Sequence, residues 1–437
     1  PVKMRFLNSA WRKLTNTDAI QLASGKLELY FFESLYRVVY LFGLSISDSS
    51  AAYLIYSTTI KVLLVLLVSL EVWQFFSINL TIDAITDGVN LIFIQFGALC
   101  KYIVMVRNKK VYKNLAASME SENFDLTTPE RNKILEIWRI RSDRSLKLLI
   151  VLGTCTVIFW QLYPLMDDLE YNLMVFAKIP FNYQTPTLYP PTYACVLIVF
   201  SYMCYFVMTN DLIMQAHFMN LLCQYSILND CLRNILTDCQ SNLKGLNVKT
   251  LHLNDDFKRT YKKRLGNLAE QHRFILNNTL KLRDLFSVPM LIQLAISTTL
   301  ICSIGFQVAT VSTISFINDL KLYIFYLAYN MFVLYVICRW CEEIKIQSEL
   351  IGEAVYCSGW ENGIVVVPGV RSSILLILAR ANKPTYLSAG GMYDLSLEAY
   401  ANVSFHYISY IVIYIRVTFK TTSLGRLSRF KIVFYYA

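Results

Sequence analysis

The chain has 437 residues, of which 55% are hydrophobic, 14% aromatic and only 16% charged. Soluble domains carry about 25% charged residues, so this composition, with a mean hydropathy of +0.42, excludes a soluble enzyme, a disordered chain and a collagen-like fibre. The formal charge of +10 is typical of membrane proteins with basic cytoplasmic loops, and nucleic acid is not an expected partner. The sequence therefore predicts a protein that crosses the lipid bilayer several times.

Seven apolar stretches predict helices that cross the membrane, since a span of about 30 Å takes about 20 residues. They are Tyr53–Phe76, Ala84–Val106, Leu146–Leu165, Thr192–Leu212, Val288–Val311, Leu322–Val336 with its flanks, and Leu397–Val417. Upstream of them, residues 27–46 are amphipathic and rich in aromatics, which predicts a helix on the membrane surface. A further apolar run at 364–378 is interrupted by Pro368 and Arg371 and predicts a half-helix leading into the last span.

Basic side chains alternate between the loops and predict the orientation of the chain. The loops at 107–147 and 215–287 hold ten and eleven Lys and Arg residues, whereas 79–83 holds none and 166–190 holds one. Because basic loops stay on the cytoplasmic side, the N-terminus is predicted to be cytoplasmic and, with seven spans, the C-terminus extracellular. The basic cluster at 416–431 conflicts with this placement of the C-terminus.

The region 210–287 is too polar to cross a membrane, yet its apolar residues recur at helical spacing. They are Leu221, Leu222, Tyr225, Leu228, Leu232 and Leu236. The stripe has two interpretations, a helical hairpin that covers its own apolar residues or a contact between subunits. No catalytic constellation or phosphate-binding loop is present, so neither enzyme activity nor a cofactor is expected. Cys338 and Cys341 form a lone CxxC, which does not predict a metal site.

Four stretches in order resemble the insect odorant receptor family. They are Asn210-Asp211-Leu212 with 221–224, Gln271–Leu276 with Ile301-Cys302, Cys338–Cys341 with Ala354–Trp360, and Pro384–Gly391 with 395–397. The resemblance implies an odorant-gated, nonselective cation channel of the plasma membrane, in which four subunits surround one pore. It also implies co-receptor subunits and a small volatile odorant as partners. The insertion typical of co-receptors is missing from the fourth loop, which favours an odorant-specific subunit.

The resemblance and the spans together predict an all-α membrane protein with seven transmembrane helices and a cytoplasmic helical anchor domain. The predicted segments are a cytoplasmic N-terminal part with a surface helix at 1–50, helices one to four at 51–214, a cytoplasmic helical anchor region at 215–287, helices five and six at 288–340, an anchor segment with a half-helix at 341–390, a pore-lining helix at 391–418 and a tail without assigned role at 419–437.

The resemblance places the odorant pocket in the outer half of the membrane domain, among spans two to six. Aromatic and amide side chains at the outer ends of these spans are the candidate ligand contacts, because an odorant pocket is apolar with a few hydrogen-bonding groups. The residues are Asn90, Phe93, Gln95, Phe159, Trp160, Tyr163, Tyr193, Phe200, Tyr202, Tyr323, Phe325, Tyr326, Tyr329 and Asn330. Aromatic residues also concentrate at membrane interfaces and in helix packing, which is the alternative interpretation of each of them.

The end of the last span resembles the pore segment of co-receptors and gustatory receptors, beginning at Ser409. On that pattern Ile413 and Val417 lie where the gate-forming apolar residues are, although the same residues could face lipid or other helices. Arg416 stands where those relatives have Gln, and a cation in the pore mouth favours a heteromeric assembly. A gustatory receptor channel and, from a different class, a secondary transporter remain as alternative functions.

Overall fold

The computed structural model describes residues 15–76, 82–121, 124–166, 171–240, 254–310, 316–361 and 364–404; the side chains at 82–87, 163, 166, 304–310 and 316–326 are not described. Its helices are α1 Asp18–Gln21, α2 Lys26–Leu41, α3 Ala51–Phe75, α4 Ile82–Arg107, α5 Lys109–Ala116, α6 Pro129–Met166, α7 Tyr189–Arg233, α8 Ile235–Gln240, α9 Asp255–Thr310, α10 Phe316–Tyr356, α11 Val370–Ala381 and α12 at 397–404. Two 3₁₀ turns, Ala117–Glu120 and Ile364–Val366, and one antiparallel hairpin, β1 Ser388–Ala389 with β2 Tyr393–Asp394, complete the described part.

Five helices of the described part are long and apolar enough to cross a membrane, and they coincide with the first five predicted spans. These helical segments are Ala51–Phe75, Gly88–Arg107, Pro129–Leu162, Tyr189–Arg233 and Asp255–Ser303. The sixth predicted span lies on α10, and the seventh begins on α12 and continues outside the described residues. On α3, apolar side chains such as Ile55 and Val65 point away from the protein, which costs nothing when the surrounding medium is lipid.

Helix α7 is the centre of the bundle, and it packs against α6, α9 and α10. Every residue from 208 to 225 is buried, so the polar side chains in this stretch need partners within the protein. Asn220 Nδ2 donates to the carbonyl of Leu115 at 3.0 Å, and Gln224 Nε2 donates to Ser118 Oγ at 2.6 Å. The predicted apolar stripe from Leu221 to Leu232 is covered by the same chain. For these residues the structure supports the interpretation that the chain covers its own apolar stripe, and Leu236, the last residue of the predicted stripe, is half-buried.

Helix α2 lies where the sequence predicts an amphipathic helix, but its apolar face packs against protein. Phe31, Phe32 and Leu35 are buried, and the Phe32 ring lies 4.9 Å from the ring of His217 on α7. Contact with α7 and α6 therefore accounts for the amphipathic pattern, and the placement of this helix on the membrane surface stays a prediction.

The chain between α10 and α12 also differs from the prediction. The expected half-helix at 364–378 is a 3₁₀ turn followed by α11, and the β1–β2 hairpin separates α11 from the last helix. Gly390 and Gly391 form the hairpin turn with φ of 62° and 71°, values that favour glycine. The Gly390 amide donates to the Ser287 carbonyl of α9 at 2.9 Å. The hairpin is thus fixed to α9, and α11 does not lead directly into the last span.

A buried arginine forms ion pairs that link several helices at the end of the bundle opposite the 171–188 connection. The Arg131 side chain on α6 is 1% exposed and pairs with Asp125 at 2.5 Å, with Asp230 of α7 at 3.0 Å and with Asp238 of α8. Arg264 of α9 pairs with Asp125 and Asp238 as well. We call these five residues the Arg131 network. Burial raises the pKa of Asp125, but Thr127 hydrogen bonds and the two arginines outweigh this, so its pKa lies below the usual range.

The first turn of α2 is capped by a carboxylate from a distant part of the chain. Glu120 Oε1 accepts from the amides of Leu27 at 2.7 Å and Glu28 at 3.0 Å. A methyl group on Gly25 would lie 2.2 Å from Glu120 Oε2, although the Gly25 backbone is extended and suits any residue. The cap therefore depends on the missing side chain at position 25.

We expect Gly25→Ala to lower the free energy of unfolding by about 1 kcal/mol, because the added methyl displaces the Glu120 cap. Thermal unfolding of the purified chain measures this. In a Glu120→Ala background the same substitution should have little further effect, and an undiminished effect there would argue against the cap as its cause.

Candidate functional site

A cavity lies between four helices, α4, α6, α7 and α10. Its volume is about 70 Å³. This volume lies below the ~300–1,000 Å³ range of drug-sized ligand sites, which favours a small ligand. Its lining residues are predominantly apolar and are Leu91, Ile94, Gln95, Gly153, Thr156, Val157, Trp160, Phe200, Met203, Cys204, Val207, Met208 and Tyr329.

Each helix contributes one face to this cavity. On α6 the lining residues are Gly153, Thr156, Val157 and Trp160, and on α7 they run from Phe200 to Met208 at successive steps of three, one, three and one. This spacing places the residues on a single side of a helix. A residue therefore lines the cavity because of its position around the helix and not because of its type. Small and flexible residues line it as well as aromatic ones.

Four of the predicted pocket residues line the cavity: Gln95, Trp160, Phe200 and Tyr329. The Trp160 indole Nε1 donates to the Met174 carbonyl at 2.7 Å, so the ring is held in place by the connection between α6 and α7. The rings of Trp160 and Phe200 have their centroids 6.1 Å apart. These residues form an aromatic wall on the α6–α7 side.

Other predicted residues lie elsewhere. Phe93 is 37% and Phe159 44% exposed on the outside of the bundle, because each is one position away from a lining residue and is rotated by about 100° around its helix. Asn90 and Asn330 are buried next to lining residues without belonging to the lining. The Tyr202 hydroxyl lies 3.2 Å from that of Tyr56.

Tyr193 is buried on α7, where its hydroxyl donates to the Gln161 carbonyl, and it does not line the cavity. The side chains of the remaining predicted site residues, Phe325 among them, lie outside what the structure describes. The side chains of Tyr163, Tyr323 and Tyr326 are not described, and neither are the gate residues. Those gate residues are Ser409, Ile413, Arg416 and Val417.

Besides Thr156 and Val157, selection by residue type missed five lining positions on α6 and α7 that a helical pattern contains. They are Gly153, Met203, Cys204, Val207 and Met208. The signal that could have found them is the spacing from Trp160 and Phe200 along each helix. Gly153 is important in this respect, since its missing side chain leaves room for the Met208 sulfur.

A buried polar pair adjoins the cavity. Gln95 Nε2 donates to Glu71 Oε1 at 3.2 Å, and both side chains are almost completely buried between α4 and α3. Within the described residues, no group of three or more His, Cys, Asp or Glu side chains could hold a metal ion. The cavity therefore has the character of a binding site for a small apolar molecule, with a polar group at one point of its wall.

Comparison with known proteins identifies the family. The profile of the "7tm Odorant receptor" family matches residues 81–405. Odorant receptor 13a of Drosophila melanogaster is 28% identical over 158 residues, which cover 34% of this chain and 38% of that protein. Odorant receptor 10 of Aedes albopictus is 20% identical over 337 residues, which cover 75% and 83% respectively. The match thus spans well under two thirds of the first relative and most of the second.

Solved structures show the same fold. The insect olfactory receptor OR5 from Machilis hrabei aligns with a TM-score of 0.72 and 15% identity over 89% of this chain and 98% of that chain. Its complex with eugenol aligns with a TM-score of 0.71 over 90% and 100%. Because the family profile covers most of the sequence, this chain belongs to the seven-transmembrane odorant receptor family of insects and is a multi-pass membrane receptor, not an enzyme.

Proposed function

We propose that this chain is the odorant-binding subunit of a ligand-gated, nonselective cation channel and that it binds a small volatile odorant in the cavity. The observation that carries the proposal is the largely apolar cavity between four helices of the bundle, with the Trp160–Phe200 wall on one side. A related fold in complex with eugenol supports a small-molecule ligand. The apolar lining favours molecules that leave water readily.

The proposed orientation has the N-terminus in the cytoplasm and the C-terminus outside the plasma membrane. It rests on the distribution of Lys and Arg among the loops. The cavity lies towards the 171–188 connection, since it uses Leu91 and Ile94 in the first half of α4 and residues 153–160 in the last part of α6. In the proposed orientation this is the outer half of the membrane, where an odorant arrives.

We propose that the chain assembles with co-receptor subunits as a tetramer. Support comes from apolar side chains exposed on segments that are not candidate spans. Leu375 and Leu376 lie on the outer side of α11, Leu376 with 71% exposure, while the opposite side of this helix is buried. Val366 and Met392 are also largely exposed. Apolar residues exposed in this way favour contacts with another chain.

The proposed gate is the last helix, where Ile413 and Val417 form an apolar constriction that opens when ligand binds. Ser409 stands four and eight residues before them in the sequence, and Arg416 makes a pore of four identical chains unfavourable for cations. This arrangement favours a mixed channel in which this subunit supplies ligand recognition and shares the conducting pore with the co-receptor.

Whole-cell current tests the proposal, with this chain alone and with an odorant co-receptor, across a panel of volatiles. We expect odorant-evoked, nonselective cation current only when the co-receptor is present. Current from this chain alone would contradict the proposed role of Arg416. Substrate uptake without channel current would instead favour a transporter.

Enlarging Gly153 should narrow the cavity. A methyl group there would lie 1.9 Å from the Met208 sulfur and 3.2 Å from the Tyr329 ring, so Met208 must move into the empty space. We expect Gly153→Ala to weaken the response to the largest active odorants by about tenfold while the smallest ones change little. Concentration–response curves measure this difference.

Gly266→Ala is the matched control, since nothing lies within 4 Å of the added methyl group on α9. It should leave every odorant response unchanged. Equal losses for large and small odorants in Gly153→Ala would indicate a folding defect and not a smaller site.

A further inference from the structure

The cavity wall contains one amide whose hydrogen-bonding capacity is only partly used. Gln95 is 3% exposed and lines the cavity. Its Nε2 donates to Glu71, whereas its carbonyl oxygen Oε1 is buried and has no hydrogen-bond partner within the described part of the chain. Two other polar groups of the wall are satisfied, since the Thr156 hydroxyl donates to the Leu152 carbonyl at 3.0 Å and the Trp160 indole donates to the Met174 carbonyl.

Glu71 fixes how the amide is turned. Its side chain is 1% exposed on α3, and its Oε1 receives the Gln95 amide hydrogen at 3.2 Å. In this arrangement the NH₂ group of Gln95 faces Glu71, and the amide carbonyl oxygen is left over. Glu71 itself is not a lining residue, and it acts through Gln95.

A buried acceptor without a hydrogen-bond partner costs free energy. A ligand that donates a hydrogen bond to it recovers this cost. We propose that Gln95, positioned by Glu71, selects ligands that carry a hydroxyl group over molecules of the same shape without one. A hydroxyl donates to Gln95 Oε1, whereas an aldehyde offers only an acceptor and a hydrocarbon offers neither. The inference rests on the proposed function, since it assumes that the cavity is the ligand site.

A hydroxyl ligand fits better than a charged amine. The lining is predominantly apolar and includes no Asp or Glu side chain, so an ammonium group would lose its hydration without meeting a counter-ion in the wall. The class assigned to the cavity is therefore the small aliphatic or aromatic alcohol.

Ligand binding to the purified full-length chain tests this independently of channel activity. The probes are two series of matched shape: hexanol, hexanal, hexylamine and heptane, and phenethyl alcohol, phenylacetaldehyde, phenethylamine and propylbenzene. Ligand-induced stabilisation against heat gives their relative affinities. We expect the alcohol of at least one series to bind about tenfold more tightly than its aldehyde and hydrocarbon, as one added hydrogen bond implies.

Variants of the pair identify the source of the preference. Gln95→Leu should reduce the advantage of the alcohol to within about twofold without weakening the hydrocarbon. Gln95→Met is a second apolar variant if the first folds poorly. Gly266→Ala, outside the cavity, should keep the preference, and so should Glu71→Gln, because its amide oxygen still accepts from Gln95.

The inference is overturned if alcohol and hydrocarbon bind equally to the original chain, or if the amines bind best. It is also overturned if none of the probes binds, or if the preference for the alcohol survives in both Gln95 variants. Failure of the proposed function is a separate result. Odorant-evoked current without any preference for alcohols would contradict only the role of Gln95, whereas alcohol-selective binding without current in the presence of a co-receptor would contradict only the channel.

Discussion

Replacing Arg131 by alanine should lower the free energy of unfolding by about 3–5 kcal/mol. The reason is that its guanidinium is 1% exposed and lies against Asp125, Asp230 and Asp238. Without it, three carboxylates remain close together, and Arg264 can compensate only part of their charge. Chemical or thermal unfolding of the purified chain in detergent measures the loss.

Arg139→Ala is the matched control on the same helix. Arg139 is 43% exposed and pairs with Glu136 at 3.1 Å, so its removal should change stability by less than about 1 kcal/mol. If the Arg131 variant were no less stable than the Arg139 variant, the network would not be what joins α6, α7, α8 and α9 at this end.

The second large effect is expected at a buried ion pair between predicted spans. Lys101 Nζ of α4 lies 2.9 Å from Asp211 Oδ1 of α7 and also donates to the Gln293 amide oxygen of α9. All three side chains are buried. Lys101→Met leaves Asp211 without its cation, which should lower the free energy of unfolding by about 3–5 kcal/mol.

The double variant Lys101→Met with Asp211→Leu should recover most of this loss, since it removes both charges from the low-dielectric interior. Lys147→Met provides the comparison, because Lys147 pairs with Asp143 at 2.6 Å on an exposed surface. A double variant as unstable as the single one would show that Lys101 contributes through packing and not through charge.

Much of the helical architecture could be predicted from the sequence, because apolar blocks of about 20 residues determine a span by themselves. The first five spans are confirmed. Composition does not show which side of each helix packs against a neighbouring helix. Phe159 and Trp160 look alike in a list of aromatics, but only Trp160 is turned towards the cavity.

Pairs between distant parts of the chain were also inaccessible to sequence reasoning. Lys101 and Asp211 are separated by 110 positions, and each by itself looks like an isolated polar residue at the end of a span. The same holds for Glu71 and Gln95, whose contact requires the packing of α3 against α4. Periodicity describes one helix at a time, whereas these contacts are properties of a three-dimensional arrangement.

The length of α7 has a mechanical consequence. This helix carries Phe200 in the cavity wall and Asp230 in the Arg131 network, and about 45 Å of unbroken helix separates them at 1.5 Å per residue. If this helix tilts as a rigid body by about 3° at the cavity, Asp230 at its other end moves by about 2 Å. A displacement of that size is comparable to a hydrogen-bond length, so a ligand that tilts this helix acts directly on the ion pairs at its far end.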